Sequence, residues 1–277
     1  MTTAITMPPL RRLSDPVALE RVGEPMMAMI ENLWPINRSL AGPGIRETLR
    51  IIGARLDGLT VAKVPTGSKV LDWTVPDEWH PKSAFIETPD GERICELASN
   101  NLHLVGYSVG VDQRMTLSEL QPHLYSLPDQ PDAIPYVTSY YERKWGFCLT
   151  HRQREDLKEG MYRVHIDASH RPGFLEYGEL VIPGESDDEI LFSTYCCHPS
   201  MANNELSGPV LAVALADWLI GRTGRRLTYR FVFGPEMIGA AAILEAQREK
   251  LKARVMTLIE SPQVCLPKFP TCERCSA

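Results

Sequence analysis

Between Gly178 and Ser261 the chain alternates two kinds of pattern, and that alternation constrains its fold more than any other feature. The runs "ELVIPG", "EILFSTYCC", "LTYRFVFG" and "VMTLIES" are apolar, β-branched or aromatic-rich. Between them lie "LSGPVLAVALADWLIGR" and "MIGAAAILEAQREKLKA", which carry helical spacing. In the first of these, Leu206, Val210, Val213, Ala214, Leu215 and Leu219 form a broad apolar face suited to packing on a sheet. Strands alternating with helices imply βαβ units and an α/β fold with a mostly parallel sheet flanked by helices.

Upstream the texture differs. "DPVALERVGEPMMAMIENLW" opens on an Asp-Pro helix-start signal and spaces Val22, Met26, Met29, Ile30 and Leu33 along one helical face. After the turn "PINRSLAGPG" a second helix is expected, with Ile45, Leu49, Ile52 and Leu56 on one side, followed by a strand in "LTVAKVP". From about Val70 to Ile166, turn signals such as "TPDGERI" and "LPDQPDAIP" separate short runs: "SAFIET", "LHLVGYSV", "GFCLT", "YRVHID". This reads as an inserted, mostly-β subdomain. The expected partition is an N-terminal helical part over 1–69, the insertion over 70–166, an α/β core over 167–260, and an atypical tail over 261–277.

The bulk properties exclude several classes. A formal charge of −6 and the lack of a basic cluster interleaved with aromatics argue against a nucleic-acid or anionic-membrane partner. No apolar run approaches a membrane span, and "MTTAITMPPLRRLSDP" lacks a signal-peptide core, so the expected compartment is the cytoplasm. Seven irregularly spaced cysteines in 277 residues read as free thiols rather than a disulfide framework.

In open α/β sheets, ligands gather at the carboxyl ends of the parallel strands. "EILFSTYCC" ends at His198, with Asn203, Asn204 and Glu205 following before a helix; "LTYRFVFG" ends at Pro235-Glu236; "VMTLIES" would end at Glu260. Imidazole and carboxylates at neighbouring strand ends are what a hydrolytic zinc needs: few protein ligands, an open position for water and a carboxylate as base. Each residue also has a structural reading. His198 could bond a backbone carbonyl, Glu205 could be a first-turn acid favoured by the helix dipole, and Asn203 and Asn204 could be turn and N-cap residues. Arg38, Ser39 and Arg46 flank a Gly-rich turn that could hold an anion or could only separate two helices. "WTVPDEW" and "YYERKWGF" read as core aromatics or as the wall of a glycan or peptide groove. Adjacent Cys196 and Cys197 read as sheet packing, and "CERC" (Cys272, Cys275), with Cys265 as one further thiol, falls short of a zinc knuckle.

The blocks "WPINRSLAGPGIRETL", "VPTGSKVLDWTVPDEW", "LPDQPDAIPYVTSYYERKWGFCL", "CCHPSMANNELSGPV" and "YRFVFGPEMIGA" together resemble the bacterial aminopeptidase-like proteins tied to polysaccharide-biosynthesis loci. The resemblance spans roughly residues 15 to 256. It implies a zinc-exopeptidase fold with an inserted small β domain, one or two zinc ions, and hydrolysis of a peptide or amide bond in a small substrate. It assigns His198, Glu205 and Glu236 as metal ligands and Glu236 as the catalytic base.

Against that pattern the chain departs at three points. Ser200 replaces an Asp two residues after the first His. Asn204 stands where a bridging carboxylate is expected, so either Glu205 turns in as a substitute or the two-metal arrangement is absent. Glu236 is followed by Met237 rather than a second Glu, and a thioether is a poor zinc ligand. The tail "SPQVCLPKFPTCERCSA" matches none of the family's later segments, which reads as a C-terminal truncation. Two further readings follow: a catalytically inactive binding or scaffold protein on the same fold, and a modification enzyme for sugar-linked amides. Self-association is left open.

Overall fold

The computed structural model describes residues 16–260, with side chains over 23–257. Two helices open it: α1, Pro16–Leu33, and α2, Pro43–Gly53. Strand β1, Thr60–Pro65, is followed by a small hairpin of β2, Lys69–Val70, and β3, Trp73–Thr74. Then come β4, Glu78–Glu87; β5, Arg93–Ile94; β6, Val111–Thr116; and the short α3, Leu117–Leu120. Next are β7, Leu124–Tyr125; β8, Phe147–Cys148; the short α4, His151–Glu155; and β9, Met161–Arg171. The last part holds β10, Phe174–Ile182; β11, Glu189–Tyr195; α5, Ser207–Ile220; β12, Thr228–Gly234; α6, Ile238–Arg254; and β13, Val255–Glu260.

The main sheet has the order β1-β10-β12-β11-β13. β11 runs parallel to both β12 and β13, whereas β10 is antiparallel to β12 and to β1. It is therefore a mixed sheet, parallel where α5 and α6 supply the crossovers that parallel neighbours require. β1 and β10 are linked through the second sheet instead of through a crossover helix.

Residues of β11 and β12 are apolar toward both faces, as strands covered on both sides must be. Phe231, Phe233 and Cys196 pack with Ile45, Leu49 and Ile52 of α2 and with Val213, Ala216 and Leu219 of α5. On the opposite face, Leu191, Val232 and Cys197 pack with Ile238, Ala242 and Leu251 of α6. Cys196 and Cys197 thus enter opposite layers, as alternation along an extended chain dictates. The same second cluster continues into Trp79, Ile86, Trp145, Phe147 and Tyr162, so the aromatics of "WTVPDEW" and "KWGF" at Trp79 and Trp145 are core.

The second sheet is antiparallel, ordered β5-β4-β9-β6. A register shift between Pro81 and Ser83 leaves Lys82 without a backbone register partner on β9. Arg46 of α2 joins the two sheets: its guanidinium reaches Glu78 at the start of β4 and Glu176 in β10, each at 2.8 Å, and Lys63 also contacts Glu176 at 3.1 Å. The four cysteines among the described side chains, Cys95, Cys148, Cys196 and Cys197, are unpaired and buried. Burial pushes the Cys95 and Cys148 thiols up to about 12. No helix among the described residues is long and apolar enough to cross a membrane. The motif of Cys265, Cys272 and Cys275 lies outside the described residues.

Candidate functional site

The site forms where β11 and β12 end side by side. β11 stops at Tyr195, and the chain continues through Cys196 and Cys197 to His198 before turning at Pro199-Ser200. Ser200 is buried with φ 47°, a left-handed conformation that a non-glycine residue adopts only when its surroundings impose it. Here Asn101 supplies the restraint: its Nδ2 donates to Ser200 Oγ at 3.0 Å and to the Pro35 carbonyl at 3.1 Å.

Residues Ala202–Leu206 then form a π-turn rather than the first turn of an α-helix. Asn203 and Asn204 are exposed and cap nothing with their side chains, which corrects the N-cap expectation; α5 begins at Ser207 without a side-chain cap. The wider turn carries Glu205 back under His198. Its Oε1 accepts the His198 backbone N–H at 2.7 Å, and its Oε2 lies 2.7 Å from His198 Nδ1. Both carboxylate oxygens of this buried residue are therefore engaged by His198.

β12 delivers the third residue. After Gly234 and Pro235, Glu236 places Oε2 3.2 Å from His198 Nε2, with its side chain 44% exposed. Its backbone N–H donates to Cys197 Sγ at 3.3 Å. Met237 follows with φ 53° and ψ −68°, and the Ile238 N–H donates to the Glu236 carbonyl at 2.6 Å. That is the classic γ-turn, a rare and strained conformation, held directly beside Glu236. Met237 itself is 63% exposed.

Around this triad the packing is aromatic and basic. Tyr136 and Tyr195 meet the His198 ring edge-on, with centroids at 4.8 and 5.5 Å. Tyr136 and Tyr140 share a hydroxyl hydrogen bond of 2.7 Å, and burial pushes both phenols well above the usual tyrosine range. Arg38 is buried beneath the turn; its Nε donates to the His198 carbonyl at 3.0 Å and its Nη1 to the Leu33 carbonyl at 2.6 Å. Burial lowers the Arg38 pKa, and the negative charge of Glu205 opposes that shift.

His198, Glu205 and Glu236 are thus brought together as one chain of contacts, carboxylate–imidazole–carboxylate. The Gly-rich turn is not an open anion site: Arg38 anchors His198, Arg46 is spent on two carboxylates, and Ser39 Oγ donates to the Ala41 carbonyl. Glu260 ends β13, which pairs with β11 through the Ser193–Glu260 register, but its side chain lies outside the described residues. Sequence reading missed Tyr136, sixty-two positions before His198 and in a stretch without periodicity; no local signal joins the two. It also took Cys197 for packing alone, although Cys197, His198 and Glu205 hold donor atoms within 4.8 Å of one another.

The donor chemistry fits one zinc in part. Two ligands at ~2.0–2.1 Å from a tetrahedral ion lie roughly 3.3–3.4 Å apart, close to the 3.2 Å between His198 Nε2 and Glu236 Oε2. A carboxylate on Nδ1 fixes the tautomer that leaves Nε2 free to ligate, the usual second partner of a metal-bound histidine. A catalytic zinc takes three protein ligands, and the three-donor group among the described side chains is Cys197, His198 and Glu205, which does not include Glu236. Burial holds the Cys197 thiol protonated, well above its ordinary range.

Residues 27–261 match the family model described as "Domain of unknown function (DUF4910)". A Clostridium acetobutylicum protein named as a polysaccharide biosynthesis protein with aminopeptidase-like domain is 45% identical over 231 residues, covering 83% of this chain and 53% of that protein. A crystal structure of a protein from the same organism, named as a peptidase, superposes with a TM-score of 0.83 at 43% identity, over 87% of this chain and 56% of the other. The zinc aminopeptidase from Bacillus subtilis superposes with a TM-score of 0.52 at 12% identity, over 85% and 68%, a likeness of fold. The chain spans about half the length of the curated relative it matches.

Proposed function

The chain belongs to the DUF4910 family, whose fold here is aminopeptidase-like, and from that premise we propose that it is a zinc-dependent hydrolase of a peptide or amide bond. Linkage to polysaccharide biosynthesis comes from the name of its relative. The observation that carries the reading is the 3.2 Å approach of His198 Nε2 and Glu236 Oε2 at the carboxyl ends of two parallel strands, with Glu205 locking Nδ1.

In this reading His198 and Glu236 hold the metal, and Glu205 positions the imidazole. A bound zinc would supply an activated water at neutral pH. The residues of this chain then have distinct tasks. Glu205 keeps the proton on Nδ1, Arg38 fixes the His198 carbonyl, and Tyr136 and Tyr195 wall the imidazole from solvent.

Metal content of the purified chain, measured with hydrolysis of aminoacyl arylamides with and without chelator, tests the proposal. A folded, metal-free and inactive protein overturns it. Glu236→Gln is expected to lose metal. Retention of metal with loss of hydrolysis would instead make Glu236 the general base.

A second reading is favoured by a specific observation. Every polar atom of the His198 imidazole already has a carboxylate partner, so the triad is satisfied without an ion. An inactive binding protein on the same fold would show that closed network and no metal uptake.

A further inference from the structure

Against Ser200, and not lined by Glu236, lies a cleft of about 470 Å³, well within the ~300–1,000 Å³ of small-molecule sites. It is built from segments distant in sequence: the turn after α1, the bulge of β4, the stretch after β5, and Ser200. We propose that this cleft is a binding site for an acidic saccharide, a uronate-bearing glycan unit. It touches the candidate hydrolytic site only through Ser200 and does not depend on that site holding a metal.

Its wall chemistry decides the ligand class. Trp34 supplies an aromatic face, and Arg93 lies over the Phe85 ring at 4.0 Å. The remaining groups are mostly donors. Arg93 has no carboxylate partner among the described residues. Among the described residues Lys82 shares its positive charge only with exposed Asp167, at 3.5 Å. Asn100 spends Oδ1 on the Leu102 N–H, which leaves its Nδ2 as a donor. Asn37 also lines the cleft, and its buried Nδ2 has no hydrogen-bond partner among the described residues. Against these stands one carboxylate, Glu96. Donors in excess call for a ligand rich in acceptors and carrying negative charge; a peptide backbone brings donors and acceptors in equal number. An aromatic wall beside amides and cations suits the alternating apolar and hydroxylated faces of a sugar ring.

The cleft also shows construction. Lys82 is the extra residue of the β4 bulge, the device by which a strand re-aims one side chain. Its floor is tied to the histidine turn: Asn101 bridges the Pro35 carbonyl and Ser200 Oγ, and Ser200 Oγ reaches the Trp34 carbonyl at 3.4 Å. A sugar seated here would lie against the residues that hold His198 in place.

Calorimetric titration of the full chain, kept in chelator throughout, with a galacturonic acid trimer, a neutral galactose trimer and a triglutamate peptide, tests this. The uronate trimer is expected to bind at least about tenfold tighter than either comparison ligand, the worth of one charge-assisted contact. Arg93→Ala and Lys82→Ala, both at exposed positions and checked for unchanged urea midpoints, should each weaken it about fivefold or more, and Trp34→Phe should weaken it less. Equal binding of the neutral trimer, equal or tighter binding of the peptide, no binding of the uronate, or affinity untouched by Arg93→Ala would each overturn the proposal. Chelator removes the hydrolytic question from the readout, so either proposal can fail alone.

Discussion

The two ends of strands β11 and β12 carry two charged clusters that use similar residues to opposite effect. At the starting end, Arg230 is buried with no exposed surface. Its Nε and Nη2 meet both oxygens of Glu189 at 2.6 and 2.8 Å, and its Nη1 reaches Glu179. Gln247, at the kink in α6, closes the group by donating to Glu179 at 2.9 Å. At the finishing end, His198 sits between Glu205 and Glu236, but Glu236 is half exposed and followed by a strained γ-turn. One cluster is sealed and consumes its charges. The other is sealed on one side and open on the other. A buried ion network with its partners inside fixes strand order; one that leaves a carboxylate half exposed beside a buried imidazole can exchange a partner for a ligand.

The sharpest way to break the comparison is at Arg230. Arg230→Ala strands two carboxylates, one fully buried, and should cost about 3–5 kcal/mol in urea unfolding. Glu205→Ala removes the acceptor of two short hydrogen bonds and should cost about 2–3 kcal/mol. If zinc binds, the same change should weaken it by about 10–100-fold, since an orienting partner is lost. A variant as stable as the parent would show that Glu205 does not carry His198.

A smaller effect comes from pH. His103 is buried, and desolvation lowers its pKa despite the hydrogen bond from Nδ1 to the Cys148 carbonyl. Its folded pKa lies below its unfolded one, so between the two the unfolded chain binds more protons. The stabilisation is complete above the unfolded value of about 6.5 and is lost as pH falls toward the folded value. Urea midpoints at pH 7.5 and 5.5 should differ less in His103→Gln than in the parent. Glu236→Gln should change stability by less than about 1 kcal/mol, because its side chain is part exposed, while altering metal uptake. Loss of several kcal/mol there would place Glu236 with the sealed cluster instead.

Strands whose signal is local were legible in the sequence. β11 and β12 announce themselves as continuous apolar runs, and Ile45, Leu49 and Ile52 of α2 are buried as their spacing predicts. The fold family was legible through long shared blocks. The antiparallel half of the main sheet was not, because strand direction depends on where the chain re-enters from the second sheet and no residue encodes that alone. The π-turn at Ala202–Leu206 was hidden for a different reason: Asn, Asn and Glu before a helix match a capping pattern, and the tertiary pull of His198 on Glu205 prevailed over it. His198 and Glu236 could be named from strand ends; Tyr136 needed the fold.

Arg46 has a consequence for how such a chain can vary. Glu78 lies where the chain departs for the second sheet, and Glu176 lies just after it returns. One guanidinium thus fastens both margins of a splice, and Phe174 N–H donating to Glu78 at 3.0 Å makes the seam direct. Whatever is sewn in between can lengthen, shrink or change its far edge, and the main sheet need not register the alteration.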